Sequence, residues 1–305
     1  MKINYLKNVH FVFVFFAFYC FSLPSQGMEE GSSVKLCNSK VALVTGGSRG
    51  IGKALVEELL LKGLKVIAVA RDVQSLGDLA KNKAGRLQLL AADLSTVAGQ
   101  DSVASKVACE NIDFLVHNAA VITPLGDSAF LEAEGDSIRR ILNLNIMAPA
   151  ILNLALADKL RPGSRVLMIS SRAGDGPSPG TGFYSTTKAW VDRYALSGQQ
   201  DKPHSVLFAA VNPGDVDTDM HGDLRAEDPS SFPRTLHFRE IREQLLSVET
   251  SARFLRWLLT ETESAYYTSR KHTIYDSSTW HYWNNGNSVL SPSVSKNSEP
   301  STSSQ

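Results

Sequence analysis

Cysteine is scarce in this chain of 305 residues, which holds only Cys20, Cys37 and Cys109. Their spacing matches neither a metal module nor a disulfide framework, which argues against a zinc domain and a disulfide-stapled secreted scaffold and favours a reduced compartment. Net charge is also missing: 31 basic side chains face 31 acidic ones. No electrostatic case remains for a nucleic-acid partner or an anionic membrane surface. No asparagine heads an Asn-x-Ser/Thr sequon, and no internal repeat is visible. The apolar run at 11–22 has about the length of a signal-peptide core and is too short for a stable membrane span.

What is present suits one globular α/β domain with ragged ends, at 43% hydrophobic and 20% charged residues. Residues 1–27 read as an apolar leader after Lys2 and Lys7, with Pro24, Ser25 and Gly27 at plausible cleavage positions; 28–39 is a linker, 40–283 the folded domain, and 284–305 a Ser/Asn/Pro-rich tail expected to be disordered. Translation from Met28 would give a cytoplasmic protein, which is the favoured localisation; entry into the endoplasmic reticulum through residues 1–27 is the alternative. Strands are predicted near 41–45, 65–70, 87–91, 112–117, 164–170, 205–211 and 272–275, with helices between most of them. Strands as continuously apolar as Val66-Ile67-Ala68-Val69-Ala70 need cover on both faces. The expected fold is therefore a doubly wound parallel sheet, the Rossmann fold, of about seven strands with helices on both faces.

Two segments carry chemistry. The first, Val41-Ala-Leu-Val-Thr45-Gly46-Gly47-Ser48-Arg49-Gly50-Ile51-Gly52, is an apolar strand and a glycine-rich turn that opens an amphipathic helix. Such a turn lets backbone approach a pyrophosphate while the helix N-terminus presents free N–H groups to the anion. The second is Ser171-x12-Tyr184-x3-Lys188. On a helix, Tyr184 and Lys188 share a face one turn apart, and a neighbouring ammonium should draw the phenol pKa down toward working pH, where it exchanges a proton with a carbonyl or alcohol. The bland readings are a chance Tyr/Lys pair on a solvated helix and a serine that merely ends a strand.

Taken in order, Thr45-Gly46-x3-Gly50-Ile51-Gly52, Asp93-Leu94, Asn118-Ala119-Ala120, Asn145, Ser171, Tyr184-x3-Lys188 and Asn212-Pro213-Gly214 resemble the short-chain dehydrogenase/reductase family, in its single-domain branch, over roughly residues 40 to 278. The resemblance implies hydride transfer between a nicotinamide cofactor and a small-molecule carbonyl substrate. Tyr184 would be the acid/base, Ser171 the group that positions the carbonyl, and Lys188 a partner to both phenol and nicotinamide ribose. Asn145 would hold a water in a proton relay, although Asn143 competes for that role. Cofactor contacts would come from Gly46, Ser48, Arg49, Gly50, Ile51, Gly52, Arg71, Asp93, Leu94, Asn118, Pro213, Gly214, Val216 and Thr218, besides Tyr184 and Lys188. His117 and Ala120 depart from the family's Asn-Asn-Ala-Gly element. Ala70 stands where NAD-preferring members carry an acid, and Arg49 and Arg71 where NADP-preferring members carry basic residues, so NADP(H) is expected over NAD(H). No metal is expected.

The stretch after Met220 reads as a lid, polar through 225–233 and helical around Phe238 to Leu246. Together with Pro213 to Met220 it resembles the sepiapterin-reductase and benzil-reductase corner of the family, which implies reduction of a ketone such as a vicinal dicarbonyl or a pterin side chain, with Phe183 and Trp190 near the site. Family resemblance also suggests a homodimer. The alternatives are a catalytically silent NADP(H)-binding sensor or scaffold, and an epimerase or dehydratase on the same scaffold.

Overall fold

The computed structural model of the protein describes residues 39–83, 85–107, 111–127, 135–201 and 205–289. The leader, residues 28–38 of the linker, residues 290–305 of the tail and all three cysteines lie outside the described residues.

Seven parallel strands form one sheet in the order β3-β2-β1-β4-β5-β6-β7. They are β1 (Val41–Thr45), β2 (Lys65–Ala70), β3 (Leu87–Ala91), β4 (Ile112–His117), β5 (Leu160–Ile169), β6 (Leu207–Asn212) and β7 (His272–Thr273). The expected doubly wound sheet is observed. Its ends differ from expectation where loop geometry intervenes. β5 starts earlier, with Leu160 paired to Ile112 across a register shift, and β6 starts only after Ser205, whose positive φ of 54° breaks the extended backbone. Strand order reverses between β1 and β4, so the loops leaving these strands diverge and open a crevice at their C-terminal ends.

The connecting helices are α1 (Gly50–Leu61), α2 (Gly77–Asn82), α3 (Val97–Lys106), α4 (Gly135–Leu142), α5 (Ala148–Ala155), α6 (Gly182–Gln200), α7 (Asp219–Ala226), α8 (Thr235–Glu240), α9 (Val248–Thr260), α10 (Ser264–Tyr267) and α11 (Trp280–Trp283). α1 carries Leu55 and Leu59 into a core shared with Phe254, Leu255 and Leu258 of α9. It stops at Gly63, where the chain turns back and Leu64 N–H bonds to Leu59 O at 3.1 Å, a glycine-terminated helix end. On the opposite face of the sheet, Val103 of α3, Leu152 of α5 and Val191 of α6 pack with Leu43, Leu115 and Met168. Truncating one such fully buried leucine to alanine costs about 2–5 kcal/mol. A third cluster of Ile122, Ile141, Tyr184, Leu224 and Phe232 is smaller and surrounds the tyrosine of the second motif. Within the described part of the segment read as a tail, Asn284 Nδ2 donates to Asn287 O at 2.9 Å, and Val289 is buried in the main core. No helix among the described residues is long and apolar enough to cross a membrane.

Candidate active site

A cleft of about 970 Å³ opens where the strand order reverses. Thr45, at the end of β1, and Asn118, just after β4, stitch its floor together. Thr45 Oγ1 accepts from Asn118 N at 3.0 Å and Ala119 N at 3.1 Å, while Asn118 Nδ2 donates to Thr45 O and Gly46 O at 3.0 and 3.1 Å. Asn118 thus lines the cleft and also braces the glycine turn. The turn is too tight for a side chain: a Cβ on Gly52 would lie 2.1 Å from Gly46 O. Arg49 at the N-cap of α1 makes no side-chain capping bond, so the first N–H groups of the helix stay available for an anion. Gly46, Ser48, Arg49, Gly50, Ile51 and Gly52 all line the cleft.

Beyond β2, Arg71 is exposed and lines the cleft, while Asp72 Oδ1 accepts from Gln74 N at 2.8 Å and so shapes the next turn. Arg49 lines the cleft too, but it already pairs with Asp219 of α7 at 2.8 Å. After β3, Asp93 accepts from Ser95 N at 2.9 Å and Ser95 Oγ at 2.7 Å. Burial opposes its charge, yet these bonds and the nearby Arg71 and Arg140 hold its carboxyl below the usual range. Leu94 is buried beside it. On the far side, Gly214 takes a positive φ of 97°, Val216 bridges to Leu246, and Thr218 caps α7 by accepting from His221 N at 3.4 Å. Pro213, Gly214, Val216 and Thr218 all line the cleft.

Ser171 leaves β5 at the cleft, and α6 presents Tyr184 and Lys188 to it, both buried. Ser171 Oγ accepts from Ala173 N at 3.1 Å, which pins the following turn. The expected lowering of the phenol pKa is not what the protein alone produces. Burial pushes Tyr184 up to about 12, with Ser171 pulling down and Asp215 pushing further up. Lys188 Nζ donates to Ile169 O at 2.7 Å and lies 5.4 Å from the centre of the Tyr184 ring. Burial takes Lys188 down to about 8, with Asp192 raising it and Lys271 lowering it. Desolvation is the largest cause for both groups, because burial disfavours the charged form of each.

Asn145 is bonded within the fold. It lies in a π-helical turn, Asn143–Met147, and is not among the residues lining the cleft. Its Oδ1 accepts from Val121 N at 3.0 Å, and its Nδ2 donates to Val121 O at 2.9 Å and Thr187 Oγ1 at 3.1 Å. Its side chain thus ties the Val121 loop to α6. Trp190 is displaced from expectation: it stacks on Tyr194 at 4.6 Å in the second core. Phe183 packs against the cluster around Tyr184 without lining the cleft.

The lid consists of α7, α8 and a short 3-10 turn at Arg242–Gln244. After α7, helix resumes at Thr235 and breaks at Ile241, where one run to Leu246 was expected. Several site residues carried no motif. Lys271, next to β7, donates to Ser171 O at 2.9 Å, Asp175 Oδ1 at 2.6 Å and Asp192 Oδ2 at 2.8 Å. Arg172 pairs with Asp215 at 2.8 Å. The only sequence signal for Asp192 was its position four residues after Lys188, on the same helix face.

The short chain dehydrogenase family model matches residues 40–229. The chain belongs to this family. The dehydrogenase is 29% identical over 239 residues to a benzil reductase ((S)-benzoin forming) of Bacillus cereus, covering 73% of this chain and 95% of that protein. Its structure is similar to that of a short-chain dehydrogenase/reductase from Saccharomyces cerevisiae, with a TM-score of 0.71, 28% identity and coverage of 78% of this chain and 97% of the other. A short chain dehydrogenase from Burkholderia cenocepacia in complex with NADP matches with a TM-score of 0.65, 26% identity and coverage of 77% and 96%. The dehydrogenase is thus an oxidoreductase acting on carbonyl and alcohol groups, of a family that binds nicotinamide cofactors. Its cleft suits such a group: the glycine turn leaves no room for a Cβ, and the uncapped start of α1 would face the charge of a pyrophosphate.

Proposed function

We propose that the protein is an NADPH-dependent carbonyl reductase that acts on a ketone, with vicinal dicarbonyls as the first class to test. The observation that carries this reading is the convergence of Ser171, Tyr184 and Lys188 on the cleft that also holds the glycine turn. The bound cofactor supplies the hydride. Tyr184 gives its proton to the carbonyl oxygen; a phenol held protonated by burial is suited to donate, and developing negative charge on the substrate favours the transfer. Ser171 orients that oxygen, and the Lys188 ammonium stabilises the phenolate that remains. Asn145 contributes by holding Val121 and α6 in place. Gly46, Ser48, Gly50, Ile51 and Gly52 would hold the pyrophosphate, Asp93 and Leu94 the adenine side, and Asn118, Pro213, Gly214, Val216 and Thr218 the nicotinamide side.

Preference for NADPH is supported by Ala70 at the end of β2, where no carboxylate repels a 2′-phosphate, and by the exposed Arg71 beside it. A homodimer follows from family resemblance and is tested by light scattering. The similarity to a benzil reductase supports the dicarbonyl class. The deciding assay follows cofactor oxidation over diketones, pterins, quinones and simple ketones, with NADPH and NADH in parallel. Turnover with NADPH preferred, and Arg71→Asp reversing that preference, is the expected result. Tight NADPH binding with no carbonyl turned over would replace the reductase reading with a binding protein.

A further inference from the structure

The lid side of the cleft carries a positive charge that proton transfer does not use. Arg234 lines the cleft together with Met220, His221, Leu224 and Phe238. Its guanidinium lies 5.1 Å from the centre of the Phe238 ring, and Nη1 donates to Ser178 Oγ at 2.7 Å. Ser178 Oγ in turn accepts from Thr181 Oγ1 at 2.7 Å, one residue before α6. The cation is thus tied to the start of the helix that bears Tyr184, and Phe238 packs on the same cluster as the phenol.

Neighbouring arginines are matched. Arg172 pairs with Asp215 at 2.8 Å, Arg225 with Asp217 at 3.1 Å, and Arg49 with Asp219 at 2.8 Å. Among the described residues no carboxylate lies within ion-pair distance of Arg234. Burial and Arg172 lower its pKa while Asp215 raises it, but a guanidinium does not give up its charge in a protein. One hydroxyl and one ring face leave most of its five N–H groups without a partner among the described residues. His221 lines the same side of the cleft. Arg225 Nη1 donates to His221 Nδ1 at 3.0 Å, which places the ring proton on Nε2. That N–H is buried and has no acceptor among the described residues, so Arg234 is the charged donor left to meet a ligand on this side.

The geometry points to a ketone that carries a carboxylate, held by Arg234 while the carbonyl is reduced at Tyr184. This inference rests on the reductase reading and narrows its substrate class. The carboxylate takes no part in bond making; it sets which end of the substrate faces the lid. Guanidinium–carboxylate hydrogen bonds in a partly buried site are worth about tenfold or more in affinity.

The test compares phenylglyoxylate and benzoylpropionate, each with its methyl ester. Binding is measured by calorimetry in the presence of NADP+, and rates are measured with NADPH. At least one acid is expected to bind about tenfold or more tightly than its ester, with the preference falling toward parity in Arg234→Gln and largely kept in Arg234→Lys. Equal binding of acid and ester by the wild type overturns the anion site whatever the variants do, and so does an unchanged preference in Arg234→Gln. In either case, reduction of the esters would leave the reductase reading standing. Acid binding that depends on Arg234, with no ketone reduced, would keep the anion site and remove the reductase reading.

Discussion

His117 is the clearest place where pH should reach the cofactor loop. It ends β4, is 7% exposed, and its Nε2 lies 2.9 Å from Asn153 Oδ1. Burial lowers its pKa from 6.5 to about 4, with the Asn153 bond opposing the shift. The unfolded chain therefore binds a proton between those values that the folded protein refuses. The stabilising contribution is complete above pH 6.5 and is lost as pH falls toward 4. At about 1.4 kcal/mol per pH unit, the loss is about 2 kcal/mol at pH 5 and about 3 kcal/mol at pH 4. Asn118 follows directly and holds Thr45 and Gly46, so protonation at His117 should also loosen the glycine turn. The assay is urea unfolding of wild type and His117→Asn at pH 7 and pH 5, followed by tryptophan fluorescence. Asparagine does not titrate, so the variant should lose about 2 kcal/mol less than the wild type over that interval. His221 and His272, whose pKa values burial also lowers, are present in both proteins and cancel in the comparison. Equal losses in the two proteins would refute the reasoning.

Tyr184→Phe should lower the catalytic rate by about 10²- to 10⁴-fold while leaving the NADPH dissociation constant within a few fold, as read by steady-state kinetics and fluorescence titration. Gly52→Ala drives a Cβ to 2.1 Å from the backbone oxygen of Gly46, which cannot swing aside as a flexible side chain would, and should abolish cofactor binding by calorimetry and lower the unfolding temperature. Because Lys188 titrates at about 8, carbonyl reduction should fall as pH rises through that value and the ammonium is lost. Its effect on stability has the opposite sign: the folded pKa lies below 10.5, so stability from this group rises between about 8 and 10.5, which thermal melts across that range would detect. Lys271→Met removes a cation that lowers the Lys188 pKa and leaves Asp192 to raise it, so the alkaline limb of kcat/KM should move to higher pH; a limb that stays in place would reduce Lys271 to a purely structural tie.

Periodicity and glycine spacing alone determined the parallel sheet, the phosphate-binding turn and the order of the motif residues, because each rests on local geometry: apolar strands, a turn that excludes side chains, and two residues one helical turn apart on α6. The chain order of Gly46, Asn118, Ser171, Tyr184 and Gly214 was legible for the same reason, since each follows or begins a regular element. Only tertiary structure decided how these residues are used. The phenol at position 184 is raised instead of lowered because it is buried, and that burial depends on neighbours such as Leu224 and Phe232 that come from distant segments. Asn145 turned out to hold Val121 and Thr187, a partnership set by where α6 lands against the π-helical turn. Lys271 reaches Ser171 across 100 residues of sequence, and Arg234 reaches Ser178 across 56. No local pattern marks such pairs, because each partner is ordinary in its own segment and acquires its role only when the sheet edge and the lid close around the cleft.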